Sequence, residues 1–94
     1  MQQVEEYRQV ILPVLKRYLI KRAAIFGSFA KNEASKDSDI DLLIETDKNF
    51  TLLKMIQLED EISKLTNRKV DIVEYSAIKP SIRNEVLRSS VTIL

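Results

Sequence analysis

The sequence contains neither cysteine nor histidine, and these two absences exclude several kinds of chemistry. Without cysteine there is no disulfide, no thiolate metal site and no cysteine nucleophile. Without histidine there is no imidazole acid–base catalyst and no imidazole–zinc site. Any metal site must therefore be built from oxygen ligands, which favours magnesium or manganese.

The chain also lacks an excess of charge of either sign and any long apolar run. It carries 15 basic and 14 acidic side chains, which argues against direct nucleic-acid binding over a broad surface. No stretch is long enough to span a bilayer and no signal peptide is recognised, so we expect a cytoplasmic protein without a membrane partner. Its length and its 45% hydrophobic content predict one domain, residues 1–94, with one core.

Glycine is the third scarce residue, because Gly27 is the only one in the chain. It ends the apolar run at residues 23–26 and is followed directly by Ser28. Since glycine has no Cβ, its backbone can adopt unusual conformations and approach a ligand closely. A lone glycine beside a serine, upstream of paired carboxylates, predicts a phosphate held next to a metal ion.

The hydrophobic pattern predicts helices that alternate with strands. Helical segments are predicted at residues 7–19, 29–32 and 52–65, with a fourth that begins at Pro80. Strands are predicted at residues 23–26, 40–44 and 70–75, with an edge strand or docked tail at 91–94. Pro13 should kink the first helix or begin its second segment. This order predicts an α/β sandwich.

Two carboxylates stand at the start of the predicted strand 40–44. Asp39 and Asp41 are two positions apart, so both point to the same face of that strand. Without a cation between them they repel each other and resist ionisation, and a divalent ion removes that conflict. Asp71 has an equivalent position in the strand 70–75. If the two strands are neighbours, the three carboxylates form a site for two ions about 3.5–4 Å apart.

The residues after Gly27 supply the other half of the predicted site. A turn from a strand into a short helix presents backbone N–H groups and a positive helix end to an anion. Ser28 and Ser38 add hydroxyl donors, and Lys31 can bring an ammonium to the same phosphate. Together these parts predict a nucleoside-triphosphate site with its metal, since phosphoryl-group transfer requires mainly positioning and charge neutralisation.

The motif F-G-S-F-A-K-N-x5-S-D-I-D-L resembles the signature of the minimal nucleotidyltransferases, or MNT domains, of the DNA polymerase β-like superfamily. The resemblance covers nearly the whole chain, and V-D-I-V supplies the expected third aspartate. It implies an α/β (α+β) polymerase β-like nucleotidyltransferase fold, with helices packed against a small mixed sheet. It also implies that Gly27 and Ser28 bind triphosphate and that Asp39 and Asp41 ligate the metal. Asp71 would be the third ligand or the general base.

The activity implied by this resemblance is transfer of NMP, in the first place AMP from ATP, to a hydroxyl acceptor with Mg²⁺ or Mn²⁺. Since the chain leaves no room for a second-substrate domain, the acceptor is expected on a partner, and MntA-type antitoxins of this family adenylylate helical HEPN-domain toxins. A homo- or hetero-oligomer is compatible with this scheme. Two alternatives stay open: an antitoxin or binding module that neutralises its partner by contact alone, and a nucleotide-binding subunit of a small-molecule nucleotidyltransferase.

The sequence departs from the family pattern at two adjacent positions. Lys31-Asn32 stands where the family usually has Arg-Gly. Lysine keeps the charge but loses the planar two-pronged donor, so a weaker grip on triphosphate is expected. Asparagine tolerates the left-handed conformation better than other non-glycine residues, so the turn is expected to survive at Asn32.

Overall fold

The computed structural model describes residues 2–31, 33–35 and 37–94. Within them lie three α-helices: α1 (Gln2–Arg17), α2 (Leu52–Thr66) and α3 (Pro80–Ser89). The strands are β1 (Arg22–Phe26), β2 (Ile40–Glu45), β3 (Val70–Glu74) and β4 (Val91–Thr92), and a short 3₁₀ turn (Tyr75–Ala77) follows β3. The sheet order is β3-β2-β1-β4, with β2 parallel to β3 and antiparallel to β1. The predicted α/β (α+β) fold with a small mixed sheet is confirmed.

Helix α1 is amphipathic and packs one face against the core, where Ile11, Val14 and Leu15 are buried. The helix continues through Pro13. Of the two outcomes predicted at Pro13, the start of a second helical segment is therefore wrong. Proline removes one N–H donor from a helix, and the burial of these three residues against the core is what holds α1 together across that position. None of the helices in the described part of the chain is long and apolar enough to cross a membrane.

Helix α2 connects β2 to β3 and has defined caps at both ends. The Thr51 hydroxyl accepts from the Lys54 N–H at 3.1 Å, as an N-cap does. Asn67 closes the helix in the left-handed conformation with φ 56°, which confirms the end predicted near this residue. Between the caps, Leu58 and Ile62 are fully buried. This crossover is what allows β2 and β3 to pair in parallel.

The central strand β2 separates two apolar clusters of different size. Three of its side chains are fully buried against α1 and α2: Ile40, Leu42 and Ile44. The alternate positions, Asp41 and Leu43, face the side on which α3 packs, where Leu43 belongs to a smaller cluster. Helices therefore cover both faces of the sheet, but the α3 side is covered less completely.

Helix α3 contributes no fully buried side chain among the residues described. Val86 packs against the smaller cluster. Ile82 and Leu87 remain 46% and 36% exposed. The strand predicted at residues 91–94 is confirmed as β4, at the sheet edge beside β1.

The helix predicted at residues 29–32 is not formed by the described residues after β1. Hydrogen-bonded turns take its place, with the Lys31 N–H donating to the Gly27 oxygen at 3.1 Å and the Glu33 N–H to the Ser28 oxygen at 2.8 Å. Further along, the Ser38 hydroxyl accepts from the Ser35 N–H at 2.8 Å, a local bond that competes with helical hydrogen bonding. Because β1 and β2 are antiparallel, no crossover helix is needed between them.

Candidate functional site

The strand register places two of the predicted carboxylates side by side. Asp41 of β2 pairs with Asp71 of β3 in the parallel register, so both side chains point to the α3 face of the sheet. Asp39 stands one residue before β2 begins and shares the orientation of Asp41. The condition stated for Asp71, that its strand neighbours β2, is therefore met. All three carboxylates lie at one end of the sheet.

Asp41 is the most enclosed of the three carboxylates, and its electrostatics reflect its neighbours. Partial burial is the main cause that raises the pKa of Asp41 above its ordinary value, followed by repulsion from Asp71 and then from Asp39. Asp71 itself is exposed on the edge strand. A bound cation would relieve this accumulation of negative charge.

The donor set of this cluster fits a hard divalent cation in kind, because every donor is a carboxylate oxygen. As the described side chains stand, however, no three acidic groups are arranged to hold an ion together. The backbone positions of Asp39, Asp41 and Asp71 converge, but their side chains would have to turn toward one another. Asp71 has the room to do so, since it is exposed on the edge strand.

Gly27 packs against the same cluster from β1. Its φ is +72°, a conformation that L side chains rarely adopt, and an ideal Cβ built on it would overlap Oδ2 of Asp41. The positive φ therefore favours glycine here, and a side chain at this position would also force the Asp41 carboxylate to move. From the sequence we expected a ligand to approach the backbone of Gly27 closely. In this structure the group that lies close to Gly27 is the carboxylate of Asp41.

The turn after Gly27 carries the remaining predicted phosphate groups. In the part of the chain that the structure describes, the N–H groups of residues 28–30 donate to no backbone carbonyl. Ser28 and Ala30 are half-buried, whereas Phe29 is buried and turned away from solvent. The predicted contribution of a helix end is lost, because a turn stands in place of the helix. Lys31 is exposed. The turn predicted at Asn32 lies outside the described residues.

Ser38, the second predicted hydroxyl donor, is engaged within its own loop. Its Oγ accepts from the Ser35 N–H at 2.8 Å, and its backbone oxygen accepts from Nη1 of Arg68 at 2.8 Å. A serine hydroxyl that accepts one bond still has its proton to donate. The interaction predicted between Ser38 and phosphate thus stays a prediction.

Arg68 is the residue of this region that the sequence did not indicate. It lies between α2 and β3, outside every apolar periodicity, and hydrogen bonds of its guanidinium reach segments 30 to 61 positions away. Such contacts depend on the tertiary arrangement. The only local signal is its place between the left-handed Asn67 and the V-D-I-V strand.

The chain matches the family model described as "Polymerase beta, Nucleotidyltransferase" over residues 9–94. It is 35% identical over 91 residues to a Methanocaldococcus jannaschii protein provisionally named a protein adenylyltransferase, covering 97% of this chain and 98% of that one. It is also 36% identical over 78 residues to the protein adenylyltransferase MntA of Thermococcus cleftensis, covering 83% of this chain and 79% of the relative.

Two solved structures share the fold. One, provisionally described as a minimal nucleotidyltransferase, has a TM-score of 0.82 and 33% identity, with 96% of this chain and 92% of that chain covered. The other is a chain of the complex between a tri-AMPylated Shewanella oneidensis HEPN toxin and an MNT antitoxin. It has a TM-score of 0.74 and 17% identity, with 100% of this chain and 72% of that chain covered.

Proposed function

The chain belongs to the polymerase β nucleotidyltransferase family, and from that premise we propose that it is a protein adenylyltransferase that moves AMP from ATP onto a partner protein. The names of two relatives, matched over 98% and 79% of their length, support this activity. The single observation that carries the proposal is the register of β2 and β3. It brings Asp41 and Asp71 together on the face that Gly27 borders.

The proposed reaction needs a grip on the triphosphate and a place for the metal. The Ser28 hydroxyl and the N–H groups of Ser28 and Ala30 bind the β- and γ-phosphates, and Lys31 adds a positive charge at the rim. Asp39, Asp41 and Asp71 would hold Mg²⁺, which when bound neutralises the triphosphate and polarises the reacting oxygens. The turn after β1 thus supplies neutral donors and a cation for the triphosphate. Asp39, Asp41 and Asp71, in or beside the neighbouring strands β2 and β3, supply carboxylates for the metal.

In the transfer step the acceptor hydroxyl oxygen forms a bond to the α-phosphorus of ATP. The bond between the α-phosphorus and the bridging oxygen to the β-phosphate breaks, and pyrophosphate leaves with the electron pair. Asp71, exposed on the edge strand and open to an approaching protein, takes the proton of the acceptor hydroxyl. Asp41, half-buried on the inner strand β2, would serve as a metal ligand.

The partner proposed for this reaction is a HEPN-domain protein, and the chain would act on it as an antitoxin. An MNT antitoxin of the same fold occurs in complex with an AMPylated HEPN toxin. In the part of the chain that the structure describes, the sheet and its three helices leave no separate domain to hold an acceptor. An acceptor on the surface of a second protein meets this condition.

The test is a transfer assay with α-labelled ATP, Mg²⁺ and the HEPN-domain protein that co-purifies with this chain. We expect label on the partner with the wild type, and a loss of about a hundredfold or more with Asp39→Asn or Asp41→Asn. Asp60→Asn, which removes an exposed carboxylate from α2, is the matched control and should transfer normally. If the wild type labels nothing and Asp39→Asn still neutralises the toxin, neutralisation by contact replaces this proposal.

A further inference from the structure

Arg68 joins three separate parts of the chain through one half-buried guanidinium. Its Nη1 donates to the backbone oxygens of Ser35 at 3.0 Å and Ser38 at 2.8 Å. Its Nε donates to the hydroxyl of Tyr7, in α1, at 2.8 Å. Bonds from a charged donor are stronger than those between neutral groups. The loop before β2 is thereby attached to the first helix through a single side chain.

The same guanidinium lies against two aromatic rings. Its central carbon is 4.9 Å from the ring centroid of Phe29 and 5.9 Å from that of Tyr7. The two rings meet edge to face with centroids 5.3 Å apart, and Phe29 is buried. A planar guanidinium can lie over a ring while its edge donates hydrogen bonds, which a lysine ammonium cannot do. Phe29 thus fixes the turn after β1 to the group that holds the loop before β2.

These contacts end one residue away from two parts of the candidate site. Phe29 directly follows Ser28, and Ser38 directly precedes Asp39. Arg68 itself precedes β3, where the adjacent Lys69 oxygen accepts from the N–H of Ile40 at 2.9 Å. Contacts of Arg68 and its neighbour Lys69 therefore hold three segments together: the turn after Gly27, the loop that leads to Asp39 and the strand that carries Asp71.

We infer that Arg68 is a positioning residue for AMP transfer, an inference that rests on the proposed function. It sets the distance between the phosphate-binding turn and Asp39 through its contacts with Phe29 and the Ser38 oxygen. Without it the backbone oxygens of Ser35 and Ser38 each lose a hydrogen bond, and Asp39 moves relative to Asp41. Because transfer depends steeply on placement, a fall in kcat of about tenfold or more is expected.

Three variants separate positioning from general stabilisation. Arg68→Ala removes the guanidinium, and Arg68→Lys keeps the charge without the planar donor set. Arg88→Ala removes an exposed arginine from the last turn of α3 and is the matched control. The two readouts are the AMP-transfer kinetics and the exchange rate of the Ser38 amide, which donates to the Ser35 oxygen at 3.2 Å. All are measured below the unfolding midpoint of the least stable variant.

Both Arg68 variants should exchange the Ser38 amide about tenfold faster than the wild type, while the amide of Leu43 in the central strand stays unchanged. Their kcat should fall more than their KM for ATP rises, and free guanidinium ion should restore part of the activity of Arg68→Ala but not of Arg68→Lys. Arg88→Ala should match the wild type in both readouts.

Unchanged Ser38 exchange in a folded Arg68 variant overturns the inference, as does wild-type kcat in both variants. If Arg68→Ala does not fold, Arg68→Lys decides by the same two readouts. A wild type that transfers no AMP refutes the proposed function instead. The Ser38 exchange rate then still shows whether Arg68 holds the loop.

Discussion

The Oδ2 atom of Asp41 occupies the position where a Cβ on Gly27 would lie, so a side chain at residue 27 would overlap the carboxylate. Gly27 directly follows β1, and Asp41 lies in β2, the antiparallel neighbour of β1. Phe26, the last residue of β1, pairs with Asp41. The glycine conformation and the carboxylate position are therefore coupled. A side chain at residue 27 would displace the Asp41 carboxylate, and a smaller residue at position 41 would lower the cost of that side chain.

This coupling can be measured with a double-mutant cycle. Gly27→Ala should cost about 1–2 kcal/mol for the positive φ alone, and more because of the overlap with Oδ2. The Asp41 Cβ lies 3.5 Å from the ideal position, an ordinary contact, so Asp41→Ala removes the overlap. Urea unfolding of the four proteins should show a smaller cost of Gly27→Ala in the Asp41→Ala background. Equal costs in the two backgrounds would contradict the overlap.

Asp41 should make stability depend on pH in a defined direction. Its pKa in the folded protein is raised, by burial first, so between its ordinary value of 3.8 and the folded value the native state binds more protons than the unfolded state. The free energy of unfolding therefore falls as pH rises through that window and stays lower above it.

Asp41→Asn removes this penalty. We expect its thermal midpoint to exceed that of the wild type by a few degrees at pH 7, and the difference to vanish at a pH below the ordinary value. Thermal melts of both proteins across that range provide the measurement. Asp60→Asn serves as control, and a wild type more stable than Asp41→Asn at pH 7 would refute the sign.

Lys31 should contribute modestly to ATP binding, because its side chain is exposed. Lys31→Ala should weaken the affinity about two- to fivefold at low salt and less at high salt. Lys31→Arg should bind at least as tightly as the wild type, since it supplies two parallel donors. Calorimetric titration at two ionic strengths measures both. Lys48→Ala, an exposed lysine beyond the other end of β2, should leave ATP affinity intact; equal losses at the two lysines would point to general charge.

Asn67 should show how far the crossover to β3 depends on its left-handed cap. With φ 56°, Asn67→Ala is strained and should cost about 1 kcal/mol, whereas Asn67→Gly should be neutral or slightly stabilising. Denaturant midpoints of the two variants provide the comparison. A loss in Asn67→Gly as large as in Asn67→Ala would mean that the asparagine side chain, and not the backbone conformation, matters here.

The sequence predicted those parts of the site that depend on strand periodicity. Asp39 and Asp41 share a face because side chains alternate, and the apolar runs around them identified the strands. The pairing of Asp41 with Asp71 was conditional, because periodicity does not state which strands are neighbours. In the structure α2 crosses from β2 to β3, and the two strands pair in parallel.

The errors have a common cause in tertiary contacts. Residues 29–32 have a composition compatible with a helical turn, but in the structure Phe29 is buried against Tyr7 and the connection joins two antiparallel strands. Arg68 was missed because its partners are backbone oxygens and rings far away in sequence. The exposed Ile82 on α3 follows from the incomplete cover of the second face, which no local pattern reports.

The parallel pairing of β2 and β3 also affects how the chain folds. Asp41 and Asp71 are about thirty residues apart and meet only when β3 docks as the edge strand. Their repulsion opposes this step alone, whereas β1 and β2 gain an ion pair, Arg22 with Glu45 at 2.9 Å. The antiparallel hairpin of β1 and β2 should therefore assemble before β3 docks.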